Sequence, residues 1–356
     1  MNFQEIAAAF ALQGEVICCK EFGSGHINNT FKVSTDADKH YVLQHINKHV
    51  FKNPRKLMEN VCAVTNYVRS LSNDSRAALH FLPTHSGEYF YLDEKGEFWR
   101  LYDYVGGFTL DLPESDEDFY QSALAFGRFQ ELLKDFPADS LHETIPNFHN
   151  TPDRFRQFKE AVEQDAAGRR AAVQADIDTA LALEDVGCRM QQMLEAGELP
   201  LRVTHNDTKL NNVLLDCASR KSLCVLDLDT VMPGLSAHDF GDSIRFGAAT
   251  AAEDEPDTTK MKLDLHLFRV YTQGFLEAAT SLTETEIRTL PLGAVTMTLE
   301  VAIRFLGDYL NGDVYFKTAY PEHNLVRARA QLALVTDMLT KLDDMNRIVA
   351  QTANLT

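Results

Sequence analysis

One short stretch, residues 203–215, constrains this chain more than any other part of its sequence. Two largely apolar runs, 199–203 and 213–215, enclose a polar loop, which is the pattern expected of a loop between buried strands. The loop brings together an imidazole, a carboxylate, an ammonium and amides, carried by His205, Asn206, Asp207, Lys209 and Asn212. Because loops on a rigid scaffold commonly carry chemistry, we predict that this one is functional.

The order of the groups in this loop is typical of phosphoryl transfer. Asp207 is the candidate base, which would orient a hydroxyl and accept its proton, and Asn212 is a candidate Mg²⁺ ligand through its amide oxygen. Lys209 could reach the transferring phosphate as a point charge, and His205 is expected to hold the loop by packing and hydrogen bonding. Asp and Asn are also common in turns, so the bare pattern could arise by chance.

A second acidic segment follows the loop. Residues 222–226 form an apolar run that predicts a strand, and the run ends in Asp227-Leu228-Asp229. Mg²⁺ prefers hard oxygen ligands, which an Asp at the end of a neighbouring strand would supply. We predict Asp227 as the stronger metal ligand and Asp229 as the second, with an Asx turn that closes the strand as the alternative.

Further along, Asp239-Phe240-Gly241 spells the metal-binding triplet of protein kinases. This triplet lies much farther from Asn212 than Asp227 does, so we assign the metal to Asp227 instead. Asp239 is then expected to have a structural role, either capping a helix or accepting hydrogen bonds from backbone N–H groups of the catalytic loop.

These motifs together resemble a known family. Segments 205–212, 226–229 and 233–242 look like the signatures of the aminoglycoside phosphotransferase and choline kinase family, whose members are small-molecule kinases with a protein-kinase-like fold. Further phrases resemble the N-acetylhexosamine 1-kinases of this family, and they lie at 25–28, 201–212, 240–248 and 320–327. The resemblance covers nearly the whole chain.

The resemblance implies a fold and an activity. It implies an α+β, protein-kinase-like fold, with an antiparallel β-rich N-terminal lobe at 1–103 and a larger, mainly helical lobe at 104–356. It also implies transfer of phosphate from ATP, with Mg²⁺, to the anomeric hydroxyl of an N-acetylhexosamine. His26, Arg304 and Tyr315 would contact the sugar, together with Asp207. The alternatives are another kinase of the family, acting on an aminoglycoside, choline, homoserine or methylthioribose, and an inactive nucleotide-binding module. A metallohydrolase is disfavoured because no two histidines have ligand spacing.

The N-terminal region has the layout of a nucleotide site. A strand, a turn with Gly23 and Gly25, and a second strand would cover the phosphates, although two glycines in a hairpin turn are also common for structural reasons. Gln44 stands where kinases carry a strand lysine, so the phosphate charge must be met elsewhere. Backbone groups of a predicted hinge would hold the adenine edge, and its candidate residues are Leu101, Tyr102, Asp103 and Tyr104.

Helical periodicity dominates the rest of the chain. Thr151 is predicted to cap a helix with proline in its first turn, and residues 176–196 are predicted to form a single further helix. Near the C-terminus, Glu300, Arg304 and Asp308 recur every four residues and so share one helix face. That face could be an exposed salt-bridged surface, or Arg304 could be partly buried and bind a carboxylate or phosphate.

Composition limits the partners. The formal net charge of −18 argues against nucleic acid and against an anionic membrane surface. The N-terminus lacks the basic start and apolar core of a signal peptide, and the six cysteines show no metal-ligand spacing. We therefore expect a cytoplasmic enzyme that binds neither nucleic acid nor a membrane. The resemblance implies a small-molecule sugar substrate, and we expect a monomer or a weak homodimer.

Overall fold

The computed structural model describes residues 3–22, 29–48 and 50–355, and it divides the chain into two compact units. The α+β fold class is confirmed. The predicted boundary at residue 103 differs from the division in the structure, because the chain returns twice to the first unit. That unit comprises Met1–Phe108, Asp135–Pro146 and Leu214–Met232, and the second comprises Thr109–Lys134, Asn147–Val213 and Pro233–Thr356.

The first unit is built on an antiparallel sheet with the strand order β1-β2-β3-β5-β4. Its elements are α1 (Phe3–Ala8), β1 (Val16–Glu21), β2 (Thr30–Thr35), β3 (His40–Ile46), α2 (Pro54–Leu71), β4 (Tyr91–Leu92) and β5 (Phe98–Asp103). Alternate residues of β2 are buried, and Phe31 and Val33 pack in one core with Ile6 and Phe10. The sheet therefore has one face covered by the N-terminal segment.

The buried amide of Asn60, in the middle of α2, holds both returning segments in the first unit. Its Nδ2 donates to the main-chain oxygens of His142, at 2.7 Å, and Val231, at 3.1 Å. Its Oδ1 accepts the N–H of His142 at 2.8 Å. One satisfied buried side chain therefore fixes segments that lie far apart in sequence.

The second unit is mainly helical, and the short strand β6 precedes the loop at 205–212. Its helices are α3 (Asp116–Leu132), α4 (Thr151–Gln164), α5 (Gln174–Ala182), α6 (Glu184–Gly187), α7 (Arg189–Glu195), α8 (Ser236–Gly247), α9 (Leu265–Ala278), α10 (Glu284–Leu310), α11 (His323–Thr340) and α12 (Leu342–Thr352). The remaining strands of the chain are β6 (Arg202–Thr204), β7 (Val213–Leu215), β8 (Ser222–Val225) and β9 (Met232–Gly234).

Two helix predictions for this unit were wrong. The single helix expected over 176–196 is three shorter helices, α5 to α7, and its turns bring Gly187 against Leu299 of α10. The cap of α4 is Asn150, whose side chain accepts the N–H of Asp153 at 3.1 Å. Thr151 is the first helical residue, because its hydroxyl is used for a buried hydrogen bond to Glu300.

The helix α10 is the central element of the second unit. Among the described residues it alone is long and apolar enough to span a membrane, but 89% of its apolar window is buried inside the chain, as in a core helix. It crosses α8 with backbone in contact with backbone. A Cβ atom at Gly293 would collide with the carbonyl group of Ala237, and one at Gly241 would collide with the Gly293 carbonyl.

This crossing predicts a large stability difference between two glycine substitutions in α10. Gly293→Ala should lower the free energy of unfolding by about 1–3 kcal/mol, because the new methyl group can be accommodated only if α8 moves. Gly307→Ala is the matched control, since its Cβ would lie at ordinary contact distances, 3.6 Å from Phe158 and 3.9 Å from Ala161. It should change stability by less than about 1 kcal/mol. Urea denaturation measures both, and equal midpoints for the two variants would contradict the close crossing.

Candidate active site

The loop after β6 is held in place by a buried carboxylate on α8. The two oxygens of Asp239 accept the main-chain N–H groups of His205, at 2.9 Å, and Asn206, at 2.8 Å. Gln130 of α3 donates a third hydrogen bond at 2.9 Å. The predicted structural role of Asp239 is therefore confirmed, in its backbone-binding form rather than as a helix cap.

The next turn of α8 fixes the loop again, at Thr208. The carboxylate of Asp242 accepts the Thr208 N–H at 3.0 Å, and the Thr208 hydroxyl donates to the Asp239 carbonyl at 2.6 Å. Ser243 donates to the Thr208 carbonyl at 2.8 Å. The loop conformation is thus set by the first two turns of one helix.

His205 holds the loop from inside, as predicted. Its ring is fully buried, with edge-on contacts to Phe126 and Phe129 at centroid distances of 5.4 Å and 5.9 Å. Its Nδ1 accepts the N–H of Asp207 at 3.3 Å. His205 therefore supports the candidate base from below without being exposed to substrate.

The candidate base is paired with the candidate phosphate contact. Lys209 Nζ lies 2.9 Å from Asp207 Oδ1. Burial alone would raise the pKa of Asp207, but the charge and hydrogen bond of Lys209 outweigh it, so the pKa of this carboxyl lies below its usual value. The charge of Asp207 in turn raises the pKa of Lys209. At neutral pH the pair is a carboxylate beside an ammonium.

Asn212 is oriented by the same carboxylate. Its Nδ2 donates to the Asp207 main-chain oxygen at 2.8 Å and to Asp207 Oδ2 at 3.2 Å. The NH₂ group therefore faces the loop, and the amide oxygen faces away from it. This orientation fits a hard cation, which needs an oxygen and not an NH₂ group at this position.

No group of three or more His, Cys, Asp and Glu side chains within residues 3–22, 29–48 and 50–355 lies close enough to hold a metal ion. Mg²⁺ at kinase sites is commonly bound by one or two carboxylates together with phosphate oxygens of the substrate. An amide oxygen and carboxylates are compatible with that pattern.

In the first unit, the two acids predicted as metal ligands have different surroundings. Asp227 follows β8 with a left-handed φ of 54°, a conformation that few residues other than glycine adopt and that is often found at functional sites. Asp229 is buried and forms an ion pair with the equally buried Arg100 of β5. Because Arg100 binds one of its carboxylate oxygens, a metal-ligand role for Asp229 stays a prediction.

Arg100 is a buried cation that the sequence analysis missed. Its Nε donates to Gln44 Oε1 at 3.0 Å, and Gln44 Nε2 donates to Thr30 Oγ1 at 3.1 Å. The position where kinases carry a strand lysine therefore has a guanidinium beside it, supplied by the adjacent strand. One sequence signal was available: Arg100 is the single basic residue of β5, and it stands between the apolar residues Trp99 and Leu101.

The predicted nucleotide-binding positions stay predictions. Gly23 and Gly25 lie outside the described residues, as does His26, the predicted sugar contact. In the proposed hinge, the Asp103 N–H donates to the His80 carbonyl at 3.0 Å, and the Tyr104 N–H donates to the His40 carbonyl at 3.1 Å.

The main-chain oxygen of Leu101 accepts from Leu82 at 2.9 Å, and Tyr102 pairs with both Val42 and Phe81. Several N–H and C=O groups of the predicted hinge therefore already form hydrogen bonds within the first unit.

The acidic and basic residues on one face of α10 do not pair with each other. Glu300 binds His149, at 2.8 Å, and Thr151, at 3.1 Å. The carboxylate of Asp308 accepts the N–H groups of three successive residues at 2.9–3.0 Å, and these are Val314, Tyr315 and Phe316. The exposed salt-bridged face that was one of the two expectations is therefore wrong, and Arg304 is left between two occupied carboxylates.

Arg304 instead lies among aromatic rings. Its guanidinium carbon is 5.5 Å from the ring centroids of Phe148 and Phe316 and 5.9 Å from that of Tyr315. Throughout the described part of the chain, no carboxylate lies within ion-pair distance of it. Cation–π contacts stabilise the charge but leave its N–H donors available to an anionic or polar ligand. The structure thus brings together Arg304 and Tyr315, two of the predicted substrate contacts.

Comparison with known proteins identifies the family. A family model described as the phosphotransferase enzyme family matches residues 19–271, well over half of the chain. The chain belongs to this phosphotransferase family. Its loop, with Asp207, Lys209 and Asn212, lies within the matched region, and Arg304 lies beyond it.

Solved structures show the same fold at low sequence identity. A microcompartment-associated aminopropanol kinase is 15% identical, with a TM-score of 0.65 over 97% of this phosphotransferase and 98% of that chain. A choline kinase from Cryptosporidium parvum Iowa II is 14% identical, with a TM-score of 0.57 over 92% and 90%. An amicoumacin kinase, solved with AMP-PNP and Ca²⁺, is 12% identical, with a TM-score of 0.59 over 92% and 91%.

The buried ion pair in the first unit predicts an asymmetric response to substitution. Arg100→Met should lower the free energy of unfolding by about 3–5 kcal/mol, because it leaves the Asp229 carboxylate buried and unpaired. The double variant Arg100→Met/Asp229→Leu should recover most of that loss.

Arg288→Met is the control, since Arg288 forms an exposed pair with Glu284 on α10 at 2.7 Å, and it should cost less than about 1 kcal/mol. Denaturant titration of the three variants gives the values. A small loss in Arg100→Met would show that this pair contributes little to the first unit.

Proposed function

We propose that this phosphotransferase uses ATP and Mg²⁺ to phosphorylate the anomeric hydroxyl of an N-acetylhexosamine. The observation that carries the proposal is the arrangement around Asp207. One of its oxygens is held by Lys209 and the other by Asn212, on a loop fixed by Asp239. A carboxylate oriented in this way suits a base that accepts a proton from a hydroxyl.

The acceptor chemistry fits a single carboxylate base. An anomeric hydroxyl is more acidic than an ordinary alcohol, and the transition state of phosphoryl transfer is loose, so positioning and charge neutralisation matter more than strong basicity. Asp207 would aim the sugar oxygen and take its proton. Lys209, or Arg304, would offset negative charge on the equatorial oxygens of the transferring phosphoryl group.

ATP and a divalent cation are the proposed cofactors. The family assignment supports them, as does the nucleotide-bound amicoumacin kinase of the same fold. Asn212, Asp227 and Asp229 are the residues proposed to hold Mg²⁺, which when bound neutralises charge on the nucleotide phosphates. Gly23, Gly25 and the hinge from Leu101 to Tyr104 are proposed nucleotide contacts, on the sequence pattern alone.

The cluster around Arg304 favours a neutral or anionic acceptor over a cationic one. Aromatic rings can enclose a quaternary ammonium group, but here Phe148, Tyr315 and Phe316 already surround the protein's own guanidinium. A choline-like or polyamine substrate would be repelled by that charge. The exposed ring of Tyr315, 65% accessible, instead offers a flat face to a sugar, and His26 is the other proposed sugar contact.

We further propose a cytoplasmic enzyme, working as a monomer or weak homodimer.

A panel of acceptors tests the substrate. ADP release should be strong with N-acetylglucosamine or N-acetylgalactosamine in the presence of ATP and Mg²⁺, and should be lost when the anomeric position is blocked. Glucose, choline, aminopropanol, homoserine, methylthioribose and kanamycin complete the panel. Turnover on an amino alcohol alone would retain the kinase and discard the sugar. ATP binding without turnover on any acceptor would indicate a nucleotide-binding module.

Replacement of the proposed base tests the mechanism. Asp207→Asn should lower kcat by roughly 10²–10⁴-fold with little change in melting temperature, because the amide keeps the shape but accepts no proton. Asn211→Ala is the control in the same loop, since the one hydrogen bond of its side chain to the described residues is an exposed contact with Asp111 at 3.3 Å. Its kcat should stay near wild type. Near-normal turnover in Asp207→Asn would remove Asp207 from the base role.

Replacement of Asp227 tests the metal assignment. Asp227→Asn should reduce the Mg²⁺-dependent gain in nucleotide affinity at least tenfold, because a neutral amide is a weaker ligand for a hard cation. Asn is chosen because it tolerates the left-handed backbone found here, so the fold should survive. Calorimetric titration of ADP with and without Mg²⁺ measures the effect. An unchanged metal dependence would place the ion elsewhere.

A further inference from the structure

We infer that His149 and Glu300 form a second clamp on the catalytic loop, through which His149 acts as a positioning residue for Asp207. The inference deepens the proposed function and rests on it, because it takes Asp207 as the base. His149 precedes α4, and Glu300 lies in the middle of α10. Neither is adjacent in sequence to the loop that they hold.

The hydrogen bonds of His149 define its role. Its Nδ1 lies 2.8 Å from Glu300 Oε1, and its Nε2 lies 3.2 Å from the main-chain oxygen of Asn206. A carbonyl oxygen can only accept, and so can an ionised carboxylate. The ring therefore donates from Nε2 to the Asn206 carbonyl, while Nδ1 forms its hydrogen bond with the Glu300 carboxyl group.

The surroundings keep Glu300 ionised and His149 in place. Burial would raise the pKa of Glu300, but the charge and hydrogen bond of His149 lower it to about 2. The second oxygen of Glu300 accepts the hydroxyl of Thr151 at 3.1 Å. The rings of Phe148 and His238 pack on His149 with centroids at 4.3 Å and 5.6 Å.

His238 does not compete for the Glu300 carboxylate. Burial, together with the charge of His149, lowers the pKa of His238 to about 3, so this ring is neutral at physiological pH. Arg154 and Arg304 also lie near Glu300 and contribute to its low pKa, but neither donates to it a hydrogen bond within the described residues. Of the basic side chains described, His149 is therefore the one that forms a hydrogen bond with Glu300.

The peptide that His149 holds is the one leading into Asp207. Asn206 has a φ of 64°, a left-handed conformation that asparagine adopts more readily than most other residues. Its N–H is bound by Asp239, and its carbonyl is bound by His149. The other end of the same peptide, the Asp207 N–H, donates to His205. Loss of His149 would remove one of the hydrogen bonds that hold this peptide, and a rotation of the peptide would move the Asp207 side chain.

A double-mutant cycle separates positioning from general stabilisation. His149→Gln should lower kcat about 10–100-fold in the otherwise wild-type enzyme, since a misplacement of about 1 Å can cost that much, while KM for ATP changes less than threefold. In the Asp207→Asn background the same substitution should lower kcat less than threefold, because residues that act through one group are not additive.

Two further variants keep the test decisive if His149→Gln folds poorly. Glu300→Gln preserves shape and can still accept from His149, so it should give a smaller loss of kcat, which again disappears in the Asp207→Asn background. Thr151→Val removes the other hydrogen bond to Glu300 and should lower the melting temperature with kcat within threefold of wild type.

The outcomes separate the role of His149 from the role of Asp207 as the base. Equal losses of kcat in both backgrounds, or a lowered melting temperature with unchanged kcat, would overturn the clamp while leaving the proposed base intact. Undiminished turnover in Asp207→Asn itself would overturn the proposed base and the clamp together. The acceptor is the one that the wild-type enzyme uses in the panel, so the cycle does not depend on the sugar assignment.

Discussion

The conformation of the loop that carries Asp207 depends on one buried carboxylate, that of Asp239. Two successive backbone N–H groups of this loop donate to its two oxygens, and these two hydrogen bonds fix the backbone conformation of the loop. A buried polar group without a hydrogen-bond partner destabilises the fold, so the carboxylate of Asp239 and the N–H groups of the loop each stabilise the position of the other. The conformation that presents Asp207 is in this way specified by α8, a helix that follows it in the chain, more than by the loop's own residues.

The helix α10 distributes its polar residues to three separate tasks. Glu300 binds the ring of His149, Arg304 packs among aromatic rings, and Asp308 accepts N–H groups of the segment that carries Tyr315. Helical spacing alone would pair these residues with each other. The tertiary contacts form instead, because several directed hydrogen-bond donors stabilise a buried carboxylate more than one flexible side chain on the same helix face does.

The sequence was informative where the relevant contacts are local. Asp207, Lys209 and Asn212 lie within one short loop, so their pairing follows from their spacing, and the role of Asp239 could be argued from its distance along the chain. The sequence could not reveal partners separated by 129 or 151 residues, such as Arg100 with Asp229 and His149 with Glu300. Nor does periodicity show where a helix breaks, which is why α5 to α7 were predicted as one helix.

The close crossing of α8 and α10 has a consequence for how this enzyme can diversify. Backbone contact between Gly241 and Gly293 joins the helix that shapes the catalytic loop to the helix that carries Glu300, and neither can shift alone. The segment 311–322, in contrast, is held by side-chain contacts, among them the carboxylate of Asp308 and the ion pair of Arg169 with Asp313, and it exposes Val314 and Tyr315. Under the proposal that Tyr315 contacts the acceptor, substitutions in that segment would change acceptor preference without moving α8 or α10, so specificity could evolve separately from catalysis.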